Sequence, residues 1–102
     1  MKLYNNNLSP FASRVRLAVY AKGLSVEMAS PPASGLKGEE YLAINPIGKI
    51  PCLTTDDGMK LPESEVILEY LEDKFPKPPL RPRKPEEKAA VRLISRINDI
   101  YL

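Results

Sequence analysis

Histidine is absent from this 102-residue chain, and cysteine occurs once. Without histidine the chain lacks the commonest general base and the commonest zinc ligand, and no metal is expected. The single thiol, Cys52, excludes an internal disulfide framework and any Cys-x-x-Cys pair, so dithiol redox chemistry cannot be internal. That cysteine usage is expected of a cytoplasmic protein. No apolar run is long enough to cross a bilayer, and Met1-Lys2-Leu3-Tyr4-Asn5 lacks the long apolar core of a signal peptide. No charge of one sign dominates. The 15 Lys and Arg against 13 Asp and Glu leave a net +2, with signs alternating along most of the chain. That gives no general case for a nucleic-acid or membrane partner. Apolar content is ordinary at 43%, which suits one domain with one modest core.

Local signals order the chain as β-α-β-(α)-β-β-α, followed by a linker and a further helix. A strand is expected over 2–5, and Asn5-Asn6-Asn7 has loop chemistry. Ser9-Pro10 reads as an N-cap followed by proline at the first helical position. The helix it opens should run to about Lys22, bury Phe11, Val15, Ala18 and Val19, and stop at Gly23. Further strands are expected over 25–29, 52–55 and 59–61, with Asp57-Gly58 as a hairpin turn and a short helix over 39–44. Ser64 should cap a helix to about Phe75 that buries Val66, Ile67, Tyr70 and Leu71. The helix between the first two strands makes them parallel. Residues 76–85 hold five prolines and read as a stiff linker whose basic residues are solvated. A last helix opens near Pro85-Glu86-Glu87. Its face of Ala90, Leu93, Ile94, Ile97, Ile100 and Tyr101 has no evident place on the preceding domain.

Asn45-Pro46-Ile47-Gly48-Lys49-Ile50-Pro51 and Glu63-Ser64 together describe a site for a small zwitterionic peptide. If the bond before Pro51 is cis, Ile50 can exchange backbone hydrogen bonds with an extended peptide. Lys37 and Lys49 can reach a carboxylate at its far end. Ser64, at a helix start, offers a hydroxyl and free N–H groups to another carboxylate, and Glu63 can take an ammonium group. Glutathione is a peptide of that kind. Ser9, at a strand-to-helix junction, is either a plain cap or a hydroxyl that holds an anion at a helix N-terminus. A thiolate there would be stabilised without any general base. Tyr4 and Ser13 are the rival hydroxyls, and Cys52 reads as a buried small hydrophobe.

These segments resemble the N-terminal, thioredoxin-like domain of the cytosolic glutathione transferases. Ser9-Pro10-Phe11 with Arg14-Val15 resembles the tau class, and the Ser-x-x-x-x-Arg-Val-Arg spacing also resembles the zeta class. In the omega class a cysteine stands at the position of Ser9. The 45–51 and Glu63-Ser64 segments resemble the phi and tau classes. The resemblance implies an α/β, thioredoxin-like fold with a four-stranded mixed sheet flanked by helices. It implies a glutathione-binding domain over 1–80, with 81–102 as linker and first helix of an all-helical second domain. Ser9 would hold the thiolate of glutathione, the co-substrate. Lys37 and Lys49 would bind its glycine carboxylate, and Ile50, before a cis Pro51, its cysteinyl backbone. Glu63 and Ser64 would bind the γ-glutamyl head. The implied activity is transfer of glutathione to a small electrophile in detoxification, by a homodimer. Zeta-type isomerisation and a non-catalytic binding or assembly module are the alternatives. In the family the electrophile pocket forms mainly with the second domain, so the resemblance implies little turnover by these 102 residues alone.

Overall fold

A computed structural model describes residues 1–101 of the chain. In order they form β1 (Lys2–Tyr4), α1 (Pro10–Ala21), β2 (Glu27–Ala29), α2 (Glu39–Ile44), β3 (Cys52–Thr54), β4 (Lys60–Pro62), α3 (Ser64–Lys74) and α4 (Pro85–Tyr101). The sheet order is β2-β1-β3-β4. β1 is parallel to β2 and antiparallel to β3, and β3 pairs antiparallel with β4. This is the mixed four-stranded sheet expected. Its hairpin differs by one residue, because Met59 belongs to the loop. The Met59 carbonyl accepts the Thr55 N–H at 3.0 Å, and its own N–H donates to Thr55 Oγ1 at 3.0 Å. Strand pairing therefore starts at Lys60 and reaches Pro62, which is tolerated because β4 is an edge strand.

Side-chain alternation sorts the sheet's two faces. Leu3 and Leu53 point to one side, into a cluster with Val15, Ala18 and Val19 of α1 and Ile67 and Leu71 of α3. Tyr4 points to the other side and meets Tyr41 of α2 edge to face, with ring centroids 5.8 Å apart. The sheet is thus flanked by α1 and α3 on one face and by α2 on the other. Three expected core residues are not buried. Phe11 is about half exposed, since Ala12 takes the inward place on the Val15–Val19 stripe. Val66 faces outward and Tyr70 is half-buried, because the stripe of α3 runs through Ser64, Ile67 and Leu71.

Residues 76–85 are tied down more than a solvated linker would be. Lys22 at the end of α1 is buried and ion-pairs with buried Glu72 of α3 at 3.1 Å. Its ammonium also donates to the carbonyls of Phe75 at 2.7 Å and Pro78 at 2.8 Å. Glu72 in turn accepts the Leu80 N–H at 2.8 Å. Arg81 bonds Glu69, and Asp73 at 2.6 Å. Lys77, Arg83 and Lys84 stay exposed.

α4 docks through its polar side. Asp99 meets Arg14, Ser95 Oγ donates to Glu65 at 2.8 Å, and Arg92 pairs with Glu69 at 3.2 Å. Its apolar side is left open: Leu93, Ile94, Ile97 and Ile100 are each at least 41% exposed. Among the described residues no helix is long and apolar enough to cross a membrane, and no cluster of side chains could hold a metal.

Candidate glutathione-type site

Asn45 and Tyr41 shape the segment that leads to Pro51. The buried Asn45 side chain accepts the Ile47 N–H at 3.1 Å and donates to the Lys49 carbonyl at 2.9 Å. Tyr41 Oη donates to the same carbonyl at 2.7 Å. Burial pushes the Tyr41 phenol up to about 12, so it stays a donor throughout the neutral range. Gly48 turns the chain at φ +68, and a Cβ there would come within 2.9 Å of the Lys37 ammonium. That ammonium donates to the Ile47 carbonyl at 3.2 Å. The Ile50–Pro51 bond is cis, as is Lys77–Pro78.

At the far side of this segment α3 begins. Its cap is Glu63, not Ser64 as expected. Ser64 is the first helical residue and is buried, while Glu63 is exposed and stands at φ 71. No side chain caps the helix, so the first N–H groups of α3 are unclaimed by a cap. Those donors, with the partial positive charge of the helix end, favour an anion.

A cleft of about 200 Å³ lies between these parts. It brings together Lys49, Ile50 and Pro51 with Glu63 and Ser64. Phe11, Asn45 and Asp99 also line it. Asp99 comes from α4 and receives both guanidinium nitrogens of Arg14, at 2.6 and 3.2 Å. The bond from Arg14 holds the Asp99 carboxyl below its ordinary value. The cleft wall therefore bears one ammonium and two carboxylates. Neither Ser9 nor Lys37 is part of this lining. Lys37 sits behind it, on Gly48. Ser9 lines neither this cleft nor the more open hollow formed by Asn5-Asn6-Asn7 and Ile50; in sequence it stands between those asparagines and Phe11 of the cleft.

Ser9 caps α1 through its oxygen, which accepts the Ala12 N–H at 3.1 Å. A hydroxyl has a hydrogen to donate as well, so capping and holding an anion are compatible. The N–H that bonds the oxygen polarises it and strengthens that donation. Ser13, the rival on the same helix, donates its hydrogen to the Pro10 carbonyl at 2.7 Å. Tyr4 packs on Tyr41. Cys52 is buried, and burial pushes its thiol up, which makes it inert.

Sequence reading missed Asp99, Tyr41 and the side-chain bonds by which Asn45 shapes the segment before Pro51. Asp99 left no local signal, since its partner Arg14 is 85 positions away.

Residues 3–79 match the family described as glutathione S-transferase, N-terminal domain. A maleylacetoacetate isomerase of Pseudomonas aeruginosa is 40% identical over 98 residues, covering 90% of this chain and 45% of its own length. A stringent starvation protein A homolog of Coxiella burnetii is 35% identical over 94 residues, covering 92% and 44%. Among solved structures, a maleylacetoacetate isomerase from Methylobacterium extorquens with malonate and glutathione bound superposes with a TM-score of 0.88 at 36% identity. That superposition covers 95% of this chain and 46% of the other. The chain thus spans less than half the length of these relatives.

Proposed function

Because the chain belongs to the glutathione S-transferase N-terminal domain family, we propose that it is the glutathione-binding module of a transferase, with Ser9 holding the thiolate for attack on a small electrophile. What supports this most is the single cleft shared by Lys49-Ile50-Pro51 and Glu63-Ser64, two short segments that make separate charge and backbone offers. A tripeptide with an ammonium and two carboxylates has a counterpart for each group. Its γ-glutamyl carboxylate meets the start of α3 and Ser64. Its ammonium meets Glu63. Its middle residue runs along Ile50 and Pro51, and its glycine carboxylate meets Lys49, with Lys37 close behind.

Chemistry needs the thiol ionised. A free thiol, with a pKa of about 8.5, is roughly 3% thiolate at pH 7. Lowering that by about two units takes on the order of 2.7 kcal/mol of preferential thiolate stabilisation. One charge-assisted hydrogen bond from Ser9, together with the end of α1, can supply it. Ser9→Ala should therefore raise the pKa of bound glutathione by about one unit or more. Loss of the cap should also cost about 1 kcal/mol of stability. Thiolate absorbance followed against pH, at saturating glutathione, measures the first effect. An unshifted titration would remove Ser9 from the role.

Isomerisation is a second reading within the same chemistry, favoured by the isomerase name of the 40% identical relative. It keeps every role above and changes only the electrophile. A non-catalytic module for binding or assembly is a reading from a different class, favoured by the starvation-protein relative, whose name is not that of a transferase. Such a module need neither bind glutathione nor shift its thiol, so the same titration separates it.

The whole protein is proposed as a cytoplasmic homodimer serving detoxification, with residues 1–80 as the glutathione-binding domain and 81–102 opening a helical second domain. Relatives more than twice as long as the matched stretch support further chain, proposed as helical and lying over the open face of α4. Contiguous apolar surface of that kind marks an interface. The 102-residue chain should therefore self-associate, and pairing Ile94→Lys with Ile97→Lys should keep it monomeric in light scattering. A parent chain that stays monomeric at high concentration, with the amides of α4 protected from exchange, contradicts this.

A further inference from the structure

We propose that Arg16 is a positioning residue for Ser9, setting the hydroxyl through the loop that precedes it; this rests on the reading of Ser9 given above. Ser9 and Arg16 are seven positions apart, two helical turns, so they share one side of α1. From there the Arg16 guanidinium reaches back over the helix start and grips three consecutive loop residues. One nitrogen donates to Asn5 Oδ1 at 2.5 Å and to the Asn6 carbonyl at 3.1 Å. The other donates to the Asn7 carbonyl at 3.4 Å. The Asn6 carbonyl also accepts the Ser9 N–H at 3.1 Å. The oxygen that Arg16 holds is thus the one that fixes the Ser9 backbone. Asn5 is anchored independently, since it is buried and its N–H donates to the Ala29 carbonyl of β2 at 2.9 Å. Asn6 Oδ1 takes the Leu8 N–H at 2.7 Å. The loop is therefore pinned to the sheet at Asn5 and to α1 through Arg16, and Ser9 stands at its end.

A planar fork with several donors suits this job, and a lysine does not. Without the grip the loop can relax, and the Ser9 hydroxyl loses its fixed aim at sulfur. The peptide's charged ends, held by other segments, should be little affected. Arg16 thus acts on the thiol and not on affinity.

The test is the thiol titration of bound glutathione on the 102-residue chain, for Arg16→Met, Arg16→Lys, Ser9→Ala and the Ser9→Ala/Arg16→Met double variant, with affinity measured at a pH where the thiol is protonated in all of them. Arg16→Met should lower the thiolate fraction at neutral pH by about twofold or more, and no further than Ser9→Ala does, while affinity stays within about twofold. Arg16→Lys should not restore the parent titration. The double variant should titrate like Ser9→Ala alone, because Arg16 works through Ser9. A parent-like titration for Arg16→Met overturns the proposal, and so does full rescue by lysine or an additive double variant. If Arg16→Met does not fold, a parent-like titration for Arg16→Lys overturns it equally. A shift in Ser9→Ala without one in Arg16→Met rejects Arg16 alone. No shift in Ser9→Ala rejects the Ser9 reading and this one with it.

Discussion

Lys22→Met is expected to remove about 3–5 kcal/mol of stability, the usual result of leaving one buried charge without its partner. The Lys22 side chain is 1% exposed and that of Glu72 9% exposed, so water cannot replace the lost partner. Methionine would leave the Glu72 carboxylate and the Phe75 and Pro78 carbonyls without their shared donor. A domain of this size has about 5–15 kcal/mol in total, so the variant should sit near the edge of folding. Adding Glu72→Leu should recover part of the loss, because the stranded charge goes too, while the Leu80 N–H then lacks its acceptor. The pair also fastens the start of the linker to α1 and α3, through the Phe75 and Pro78 carbonyls and the Leu80 N–H. Urea unfolding of the single and double variants measures the coupling, and hydrogen exchange at Leu80 reports the release of the linker. A loss below about 1 kcal/mol for Lys22→Met would show that the linker is held by packing instead.

That pair also shows where sequence reading stops. Lysine and glutamate default to the surface, and 50 positions separate Lys22 from Glu72. Only the packing of α1 on α3 makes them a buried unit. The same holds for Arg14 and Asp99, and for Arg16 over Asn5-Asn6-Asn7, where the residue types were visible and their meeting was not. What could be read locally was read: proline after Ser9 fixes the start of α1, the helix between β1 and β2 fixes their parallel pairing, and Asp57-Gly58 fixes the hairpin. Errors in the core fell where an apolar residue stands next to the one that turns inward. Ala12 turns inward in place of Phe11, and of the expected neighbours Val66 and Ile67 only Ile67 does, because the stripe's phase is set by later residues. The cleft was legible in part. The segments around Pro51 and Ser64 drew attention by their composition. Which residue caps α3 was not legible, because the cap is a glutamate in a backbone region that no propensity assigns to it.

That glutamate gives the other large effect. Glu63 stands at φ 71 and ψ 117, where a side chain is strained by on the order of 1–3 kcal/mol. Glycine adopts positive φ freely, although its looser unfolded chain takes back about 0.4–1 kcal/mol. Glu63→Gly should therefore make the fold more stable by about 1 kcal/mol while abolishing the carboxylate proposed to meet the glutathione ammonium. Loss of such a charge-assisted contact costs about 1.5–3 kcal/mol, or roughly 10–150-fold in affinity. Glu63→Ala should lose the same affinity without the gain in stability, since alanine keeps the strain. Lys49→Ala, at the other end of the cleft, should weaken binding similarly and leave stability unchanged. Its exposed ammonium makes no hydrogen bond or ion pair among the described residues. All three should move the bound thiol less than Ser9→Ala does, because they act away from sulfur. Calorimetry of binding and urea unfolding on the same samples measure both quantities. Affinities within twofold of the parent for Glu63→Ala and Lys49→Ala would show that the peptide does not lie between them. A Glu63→Gly chain no more stable than Glu63→Ala would show that the backbone at the start of α3 is not strained, and that the site is built at no cost to the fold.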